Sequence, residues 1–166
     1  LGDVYFRAIS ASLLPAAISA GLLAYVSWRY LIPEKDWRGR LLSTLAGLLW
    51  GLSPFLWSQA LIVEVQGAQT LFIVLALWLC LFLYEETNQD LHRWVLFFLA
   101  FCFGLGLGNH VTLTFFLPAV MAGNWFAMKR GLRLSTILLQ VGLLLLGLLV
   151  YLTIPLRAAS LPAINW

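Results

Sequence analysis

Residues 41–84 read LLSTLAGLLWGLSPFLWSQALIVEVQGAQTLFIVLALWLCLFLY and carry a single charged side chain, Glu64. One membrane crossing needs about 20 apolar residues, so this stretch is about twice as long as one crossing and has to turn back. The turn is expected in SPFLWSQALIVEVQGAQ, residues 53–69, where proline, glycine and polar residues interrupt the apolar pattern. A carboxylate at the bilayer centre costs about 2.5–3.5 kcal/mol, and the turn instead places Glu64 at the membrane interface.

The composition of the whole chain leads to the same class of protein. Of its 166 residues, 62% are hydrophobic and 10% are charged, against about 45–50% and about 25% in soluble domains. The sequence has no basic run with interleaved aromatics, which excludes a nucleic-acid partner. It also offers no complete set of Asp, Glu or His ligands, so no metal site is predicted within it. The expected environment is the lipid bilayer.

The apolar stretches between charge clusters predict the number of spans. A second turn is expected at Asn109 and His110, where GLGLGNHVT at 104–112 interrupts the hydrophobic pattern. The fold class is therefore all-α, a multi-pass transmembrane helical bundle of about six spans, which forms a single transmembrane domain over 1–166. We expect this domain to be a piece of a longer protein. The predicted spans are 8–28, 41–57, 68–84, 94–108, 112–128 and 134–154.

Basic residues assign the loops to the two sides of the membrane. Eight of the ten Lys and Arg residues lie in the segments 29–40, 85–93 and 129–133. The other side receives only Arg7 and Arg157. Cytoplasmic loops are enriched in Lys and Arg, so the first three segments are predicted to be cytoplasmic. The turns that contain Glu64 and His110 then face outward.

Polar side chains from three separate segments collect on that outer face. They are Glu64, Asn109, His110 and Arg157, with Asn165 near the end of the chain. A carboxylate, an imidazole and a guanidinium at one membrane face are typical of a reaction site or an ion-coupled binding site. Each also has a structural interpretation: Glu64 as an interfacial acid, His110 as a helix cap, and Arg157 as a snorkelling anchor.

Two glycine pairs have helical spacing. Gly47 with Gly51, and Gly104 with Gly108, are predicted to permit close helix packing. The second pair belongs to GLGLG, which is not interpreted as a dinucleotide loop, because no strand precedes it and its sixth position is Asn109.

Four blocks of sequence carry a family resemblance. GDVYFRAISASLLPA (2–16), FLWSQALIVEVQ (55–66), GLGLGNHVTLTFFLPA (104–119) and YLTIPLRAASLPAINW (151–166) occur in this order. They resemble the membrane glycosyltransferases of the GT-C superfamily, in particular its protein O-mannosyltransferase-like branch. That branch usually has Glu-Val-Tyr at the outer turn, whereas Glu64 is followed here by Val65 and Gln66. The principal catalytic carboxylate of the superfamily would precede Leu1.

The resemblance implies an activity and a role for each outer residue. A sugar, for example mannose, would pass from a polyprenyl-phosphate donor to a protein or glycan acceptor on the outer face of the cell's inner membrane. Glu64 would orient the acceptor or a divalent ion, Asn109 and His110 would line the sugar site, and Arg157 would hold the carrier phosphate. No cofactor is implied within this segment, although a divalent metal stays open for the full-length protein.

Two other functions use the same residues. A transporter or flippase for a lipid-linked or small anionic substrate would bind through the outer Glu, His and Arg side chains without transferring a group. A non-catalytic membrane subunit would use them only for packing. An acidic residue in a long external loop upstream of Leu1 would favour the enzyme.

The assignment of sides is tested by thiol labelling of single cysteines in a background without the two native ones. Cysteines at Lys35, Asn88 and Gly131 are expected to be shielded from impermeant reagents in intact cells, whereas cysteines at Gln66 and Ala163 should react. Permeabilised cells supply the control in which all five react. The opposite labelling pattern would remove the proposed outer site.

Overall fold

A computed structural model describes residues 4–61, 66–129 and 134–160 of the chain. Every regular element in these ranges is a helix, so the all-α prediction is confirmed. The chain divides into two compact units, Leu1–Phe82 and Leu83–Trp166.

The first unit contains three α-helices and most of a fourth. They are α1 (Val4–Val26), which continues as a π-helical turn (Ser27–Leu31), α2 (Trp37–Gly51), α3 (Pro54–Leu61) and α4 (Gln66–Glu85). The link between α1 and α2 is short, and side chains within it cap both helix ends. The Lys35 ammonium donates to the carbonyls of Trp28, Arg29 and Ile32. Asp36 Oδ1 accepts the first free N–H groups of α2, from Arg38 and Gly39, each at 3.0 Å.

Helices α1 and α2 form an antiparallel pair. A Cβ atom at Gly47 would lie 2.7 Å from both the Ala20 carbonyl oxygen and the Ala24 Cβ, and one at Gly51 would lie 2.9 Å from the Ala20 Cβ. Only glycine allows the two backbones to approach this closely. The packing role predicted for Gly47 and Gly51 is therefore confirmed.

Helix α4 runs parallel to α1. Gly67 at its start lies against the Ser12 backbone, and further along both helices the Tyr25 and Trp78 rings meet edge to face with centroids 6.2 Å apart. The α2–α3 segment supplies the return between these two parallel helices. The alternation of direction predicted for the first three spans is thus present in this unit.

The second predicted span, 41–57, is not one continuous helix. Helix α2 ends at Gly51 after 15 residues, which makes it about 22 Å long, less than the ~30 Å hydrocarbon core. Ser53 then caps α3 by accepting the Leu56 N–H on its Oγ at 3.3 Å. Pro54 has no N–H to bond with a preceding turn, so the helix stops and restarts there. Helix α3 follows and packs Leu56 against Ala16 of α1.

The second unit contains α5 (Gln89–Asn109), a 3₁₀ helix (Val111–Phe116), α6 (Leu117–Lys129), α7 (Leu134–Leu149), a 3₁₀ turn (Val150–Leu152) and α8 (Thr153–Ala159). Asn88 begins α5 by accepting the N–H groups of Asp90 and Leu91 on its Oδ1. His110 has an extended backbone and ends α5. The predicted turn at Asn109 and His110 is confirmed.

Helices α5 and α7 make the closest helix contact of this unit. Gly104 lies against the Leu144 backbone, and a Cβ at Gly147 would fall 2.5 Å from the Phe101 carbonyl oxygen and 2.7 Å from the Leu105 nitrogen. Each helix thus presents a glycine to the backbone of the other. The packing role predicted for Gly104 is confirmed, while its counterpart Gly147 was not anticipated.

The contacts of Gly104 and Gly108 give the relative direction of α5 and α7. Gly104 contacts Leu144, and one turn later Gly108 contacts the Tyr151 ring. Residue numbers increase in the same direction along both helices, so α5 and α7 are parallel. The chain between them therefore has to return from the end of α5 to the level at which α5 begins. The 3₁₀ helix and α6 together are about 30 Å long, enough for that return. They correspond to the predicted fifth span, 112–128.

Four helices in the described ranges are long and apolar enough to cross a membrane by length and composition. They are Ile9–Leu31, Gln66–Glu85, Gln89–Asn109 and Leu134–Leu152, with Val111–Trp125 as a shorter apolar helix. Four of the six predicted spans correspond to these helices, and the spans predicted over 41–57 and 112–128 stay predictions.

Burial follows the pattern of a membrane protein. Leu49, Phe115 and Leu134 are each more than 70% exposed, and polar side chains such as Ser19, Gln69 and Gln140 are buried between helices. Apolar side chains gain nothing by leaving lipid, so membrane helices associate through small residues and polar contacts instead. The chain is an integral membrane protein.

The two glycines of α7 provide a matched test of the α5 contact. Among the described residues, no atom outside the α7 backbone and the adjacent residues lies within 4 Å of a Cβ built at Gly142. Gly142→Ala should therefore keep or raise the thermal midpoint in detergent, since alanine favours a helix by up to about 1 kcal/mol. Gly147→Ala should lower the midpoint, because overpacking costs about 1–3 kcal/mol. Equal midpoints for the two variants would show that α5 and α7 do not meet at Gly147.

Candidate functional site

Three of the predicted site residues are carried by elements at one end of the second unit. Asn109 is the last residue of α5, and His110 follows it with φ −158° and ψ 131°. Because α7 is parallel to α5, the same end carries the Val150–Leu152 turn and then α8. Arg157 belongs to α8, so its backbone starts from the end of the unit where α5 stops.

The His110 ring caps the 3₁₀ helix that follows it. The Thr112 N–H donates to His110 Nδ1 at 3.3 Å, and the Thr112 hydroxyl lies 2.9 Å from the same nitrogen. The capping interpretation of His110 is therefore observed. These contacts engage Nδ1 in the cap, which leaves Nε2 as the ring nitrogen available to a ligand such as a sugar hydroxyl.

The ring of Tyr151 is the residue at this end that the sequence did not single out. A Cβ added to Gly108 would overlap the Tyr151 ring, so the phenol packs on α5 one residue before Asn109. Gly108 and Tyr151 lie far apart in the sequence, so local spacing does not predict their contact. The available signal was an aromatic residue directly before LTIPLR, six positions ahead of Arg157.

The remaining predicted contacts are not tested. Glu64 lies outside the described residues, and its outer position and its role stay predictions. For Arg157 the structure gives the helix, Thr153–Ala159, while the predicted contact of its side chain with a phosphate stays a prediction.

Metal ligands do not cluster in the described part of the chain. Residues 4–61, 66–129 and 134–160 contain no group of three His, Cys, Asp or Glu side chains that could hold a metal ion. The Asn109 end carries an amide, an imidazole and the Thr112 hydroxyl, all of which form hydrogen bonds.

Comparison with known proteins gives one match. A family model described as the protein O-mannosyl-transferase TMEM260 N-terminal domain matches residues 6–133 of the 166. No curated protein and no solved structure matches the chain. The matched range includes Glu64, Asn109 and His110, and it ends before Arg157.

A pair of substitutions distinguishes the roles of the two ring nitrogens of His110. His110→Asn places an acceptor oxygen near the position of Nδ1 and should preserve the cap and the thermal midpoint. His110→Ala removes the acceptor and should lower stability by about 1 kcal/mol, the usual value of an N-cap. Thermal unfolding of the two purified variants measures the difference. Equal midpoints would mean that the Thr112 contact does not hold this turn.

Proposed function

Because the chain belongs to the family of the protein O-mannosyl-transferase TMEM260 N-terminal domain, we propose that it is part of a GT-C-type membrane glycosyltransferase. Its donor is a sugar, in the first place mannose, linked to a polyprenyl phosphate. Its acceptor is a hydroxyl group of a protein or glycan on the non-cytoplasmic face of the membrane. The family is one of transferases, and the donor type and the face are our proposal.

The shared end of α5 and α7 carries this proposal. Parallel packing through Gly104 and Gly147 brings the α5 terminus and the start of α8 to one end of the second unit. A lipid-linked donor has two parts that need recognition there: a sugar, which needs hydrogen-bond donors and acceptors, and a phosphate, which needs a cation. His110 and Asn109 supply the first kind of group, and Arg157 supplies the second.

The reaction is an inverting displacement at the anomeric carbon. The acceptor oxygen forms a bond to that carbon while the bond from the carbon to the phosphate oxygen breaks, and a base takes the proton of the acceptor. The family resemblance assigns the base to an external-loop carboxylate outside residues 1–166. Glu64 orients the acceptor hydroxyl. Negative charge grows on the departing phosphate, and a guanidinium fork stabilises it through two parallel hydrogen bonds.

His110 acts on the sugar in this scheme. With Nδ1 engaged by Thr112, the ring orientation is fixed and Nε2–H donates to a sugar hydroxyl. Because the cap holds the ring in place before the sugar binds, this hydrogen bond costs little entropy and helps to position the sugar. The His110→Asn substitution keeps the cap and removes the Nε2 hydrogen-bonding group.

Donor kinetics of the full-length purified enzyme test the phosphate role. Arg157→Lys keeps the charge and loses the two-pronged geometry, so the KM for the polyprenyl-phosphate sugar should rise about tenfold with little change in the KM for the acceptor. Arg93→Lys is the matched control, because Arg93 is an exposed residue of the same unit that lies 3.9 Å from Asp90.

An unchanged donor KM in Arg157→Lys, at equal amounts of folded protein, would remove the phosphate role of Arg157. The wild-type protein decides the function as a whole. If it moves the lipid-linked sugar between leaflets of a vesicle and forms no glycosylated acceptor, it is a transporter and the proposed transferase activity is wrong.

A further inference from the structure

A cleft between α1 and α2 has no part in the proposed transfer reaction. It lies in the first unit, next to the turn that Lys35 caps, and it is a shallow, widely open depression with a volume of about 360 Å³. Its walls come from both helices: Ala24, Tyr25, Trp28, Arg40, Ser43 and Thr44.

Arg40 brings a positive charge to this cleft without a counter-charge. Its guanidinium makes no ion pair or hydrogen bond with any residue in the described ranges, whereas its carbonyl accepts the hydroxyls of Ser43 at 2.9 Å and Thr44 at 2.8 Å. The neighbouring carboxylate of Asp36 is occupied by the N–H groups at the start of α2. The cleft therefore presents a free cation.

Trp28 contributes its indole ring to the wall of the cleft. The indole N–H is covered by the protein, so it is not available to a ligand in the cleft. Tryptophan rings are enriched at the membrane interface, where lipid headgroups meet acyl chains. An aromatic wall beside an unpaired cation fits a ligand of that interface that carries negative charge.

Lys35 holds the Trp28 wall in place. Its ammonium bonds to three backbone carbonyls, including that of Trp28, and lies 5.8 Å from the centre of the indole ring. The Lys35 ammonium is already bonded to the backbone of the turn, so Arg40 is the cationic group that can bind a ligand in the cleft.

The surroundings of the cleft identify the class of ligand. Exposed leucines run along α2 from the Arg40 end, at Leu41, Leu45 and Leu48, and form an apolar surface that continues from the cleft. The segment 29–40 carries four basic and two acidic residues, which adds a positive field. A ligand with an anionic head and apolar tails matches both features.

We propose that this cleft is a binding site for an anionic phospholipid of the bilayer. The phosphodiester lies against the Arg40 guanidinium, the Trp28 ring packs against the region between headgroup and acyl chains, and an acyl chain follows the leucine surface of α2. The residues of this site belong to the first unit, whereas Asn109 and His110 belong to the second.

The proposal is tested by measuring lipid binding to the full-length purified protein with native mass spectrometry and thermal shift. The probes are phosphatidylglycerol, which is anionic, and phosphatidylcholine, which is not. Phosphatidylglycerol should bind and raise the thermal midpoint, and phosphatidylcholine should not. Arg40→Gln should weaken phosphatidylglycerol binding about tenfold. Arg38→Gln removes the same charge two residues away, where the guanidinium stacks on the Trp37 ring at 5.6 Å, and should leave affinity within about twofold. Trp28→Ala removes the aromatic wall of the cleft and should also weaken binding.

Three results would overturn the site. Equal binding of the two lipids to the wild-type protein would show that no anionic headgroup is selected. Equal losses in Arg40→Gln and Arg38→Gln would show that net charge, and not the cleft, attracts the lipid. Displacement of phosphatidylglycerol by millimolar inorganic phosphate would identify a free anion as the ligand. The comparison of lipids on the wild-type protein decides the proposal even if a variant fails to fold.

Discussion

The contact between two backbones, at Gly104 of α5 and Gly147 of α7, is the constraint on which the second unit depends. Apolar side chains provide no driving force for association in lipid, so helices there have to come close enough for backbone and small side chains to pack. A side chain at either position would separate the helices. The separation would also withdraw the Tyr151 ring from Gly108 and uncouple the start of α8 from the end of α5.

The first unit solves the same problem with different partners. Gly47 and Gly51 meet the alanines of α1, and Gly67 meets the backbone of Ser12. Polar groups occupy the remaining interior: Ser19 is completely buried and its hydroxyl donates to the Ala16 carbonyl at 2.7 Å. Such local bonds satisfy hydroxyl groups without demanding a partner on another helix, so they allow close packing at little cost.

The features that the sequence predicted correctly are those that hydropathy and charge encode directly. An apolar run twice the length of a crossing required a turn, and the polar pair Asn109–His110 marked where α5 ends. Glycine spacing predicted the close contacts of Gly47, Gly51, Gly104 and Gly108. Pro54 was identified as an interruption of the apolar pattern, but 41–57 was predicted as one span, because hydropathy does not register which N–H groups are bonded. The contact of His110 Nδ1 with Thr112, the Tyr151 contact and the Arg40 cleft each depend on tertiary or turn geometry that spacing alone does not reveal. The roles predicted for Glu64 and Arg157 are still predictions.

Parallel packing of α5 with α7 also has a consequence for biosynthesis. Two parallel neighbouring helices cannot be consecutive crossings, so the 3₁₀ helix and α6 have to return the chain before α7 can enter the bilayer beside α5. During synthesis the α5 surface at Gly104 and Gly108 therefore has no partner until the chain has been made as far as Tyr151. An uncovered surface of this kind is open to wrong partners while it waits. The order of synthesis leaves α5 dependent on lipid or an insertion factor for the time that the ribosome needs to add about 40 residues, a few seconds at ordinary rates.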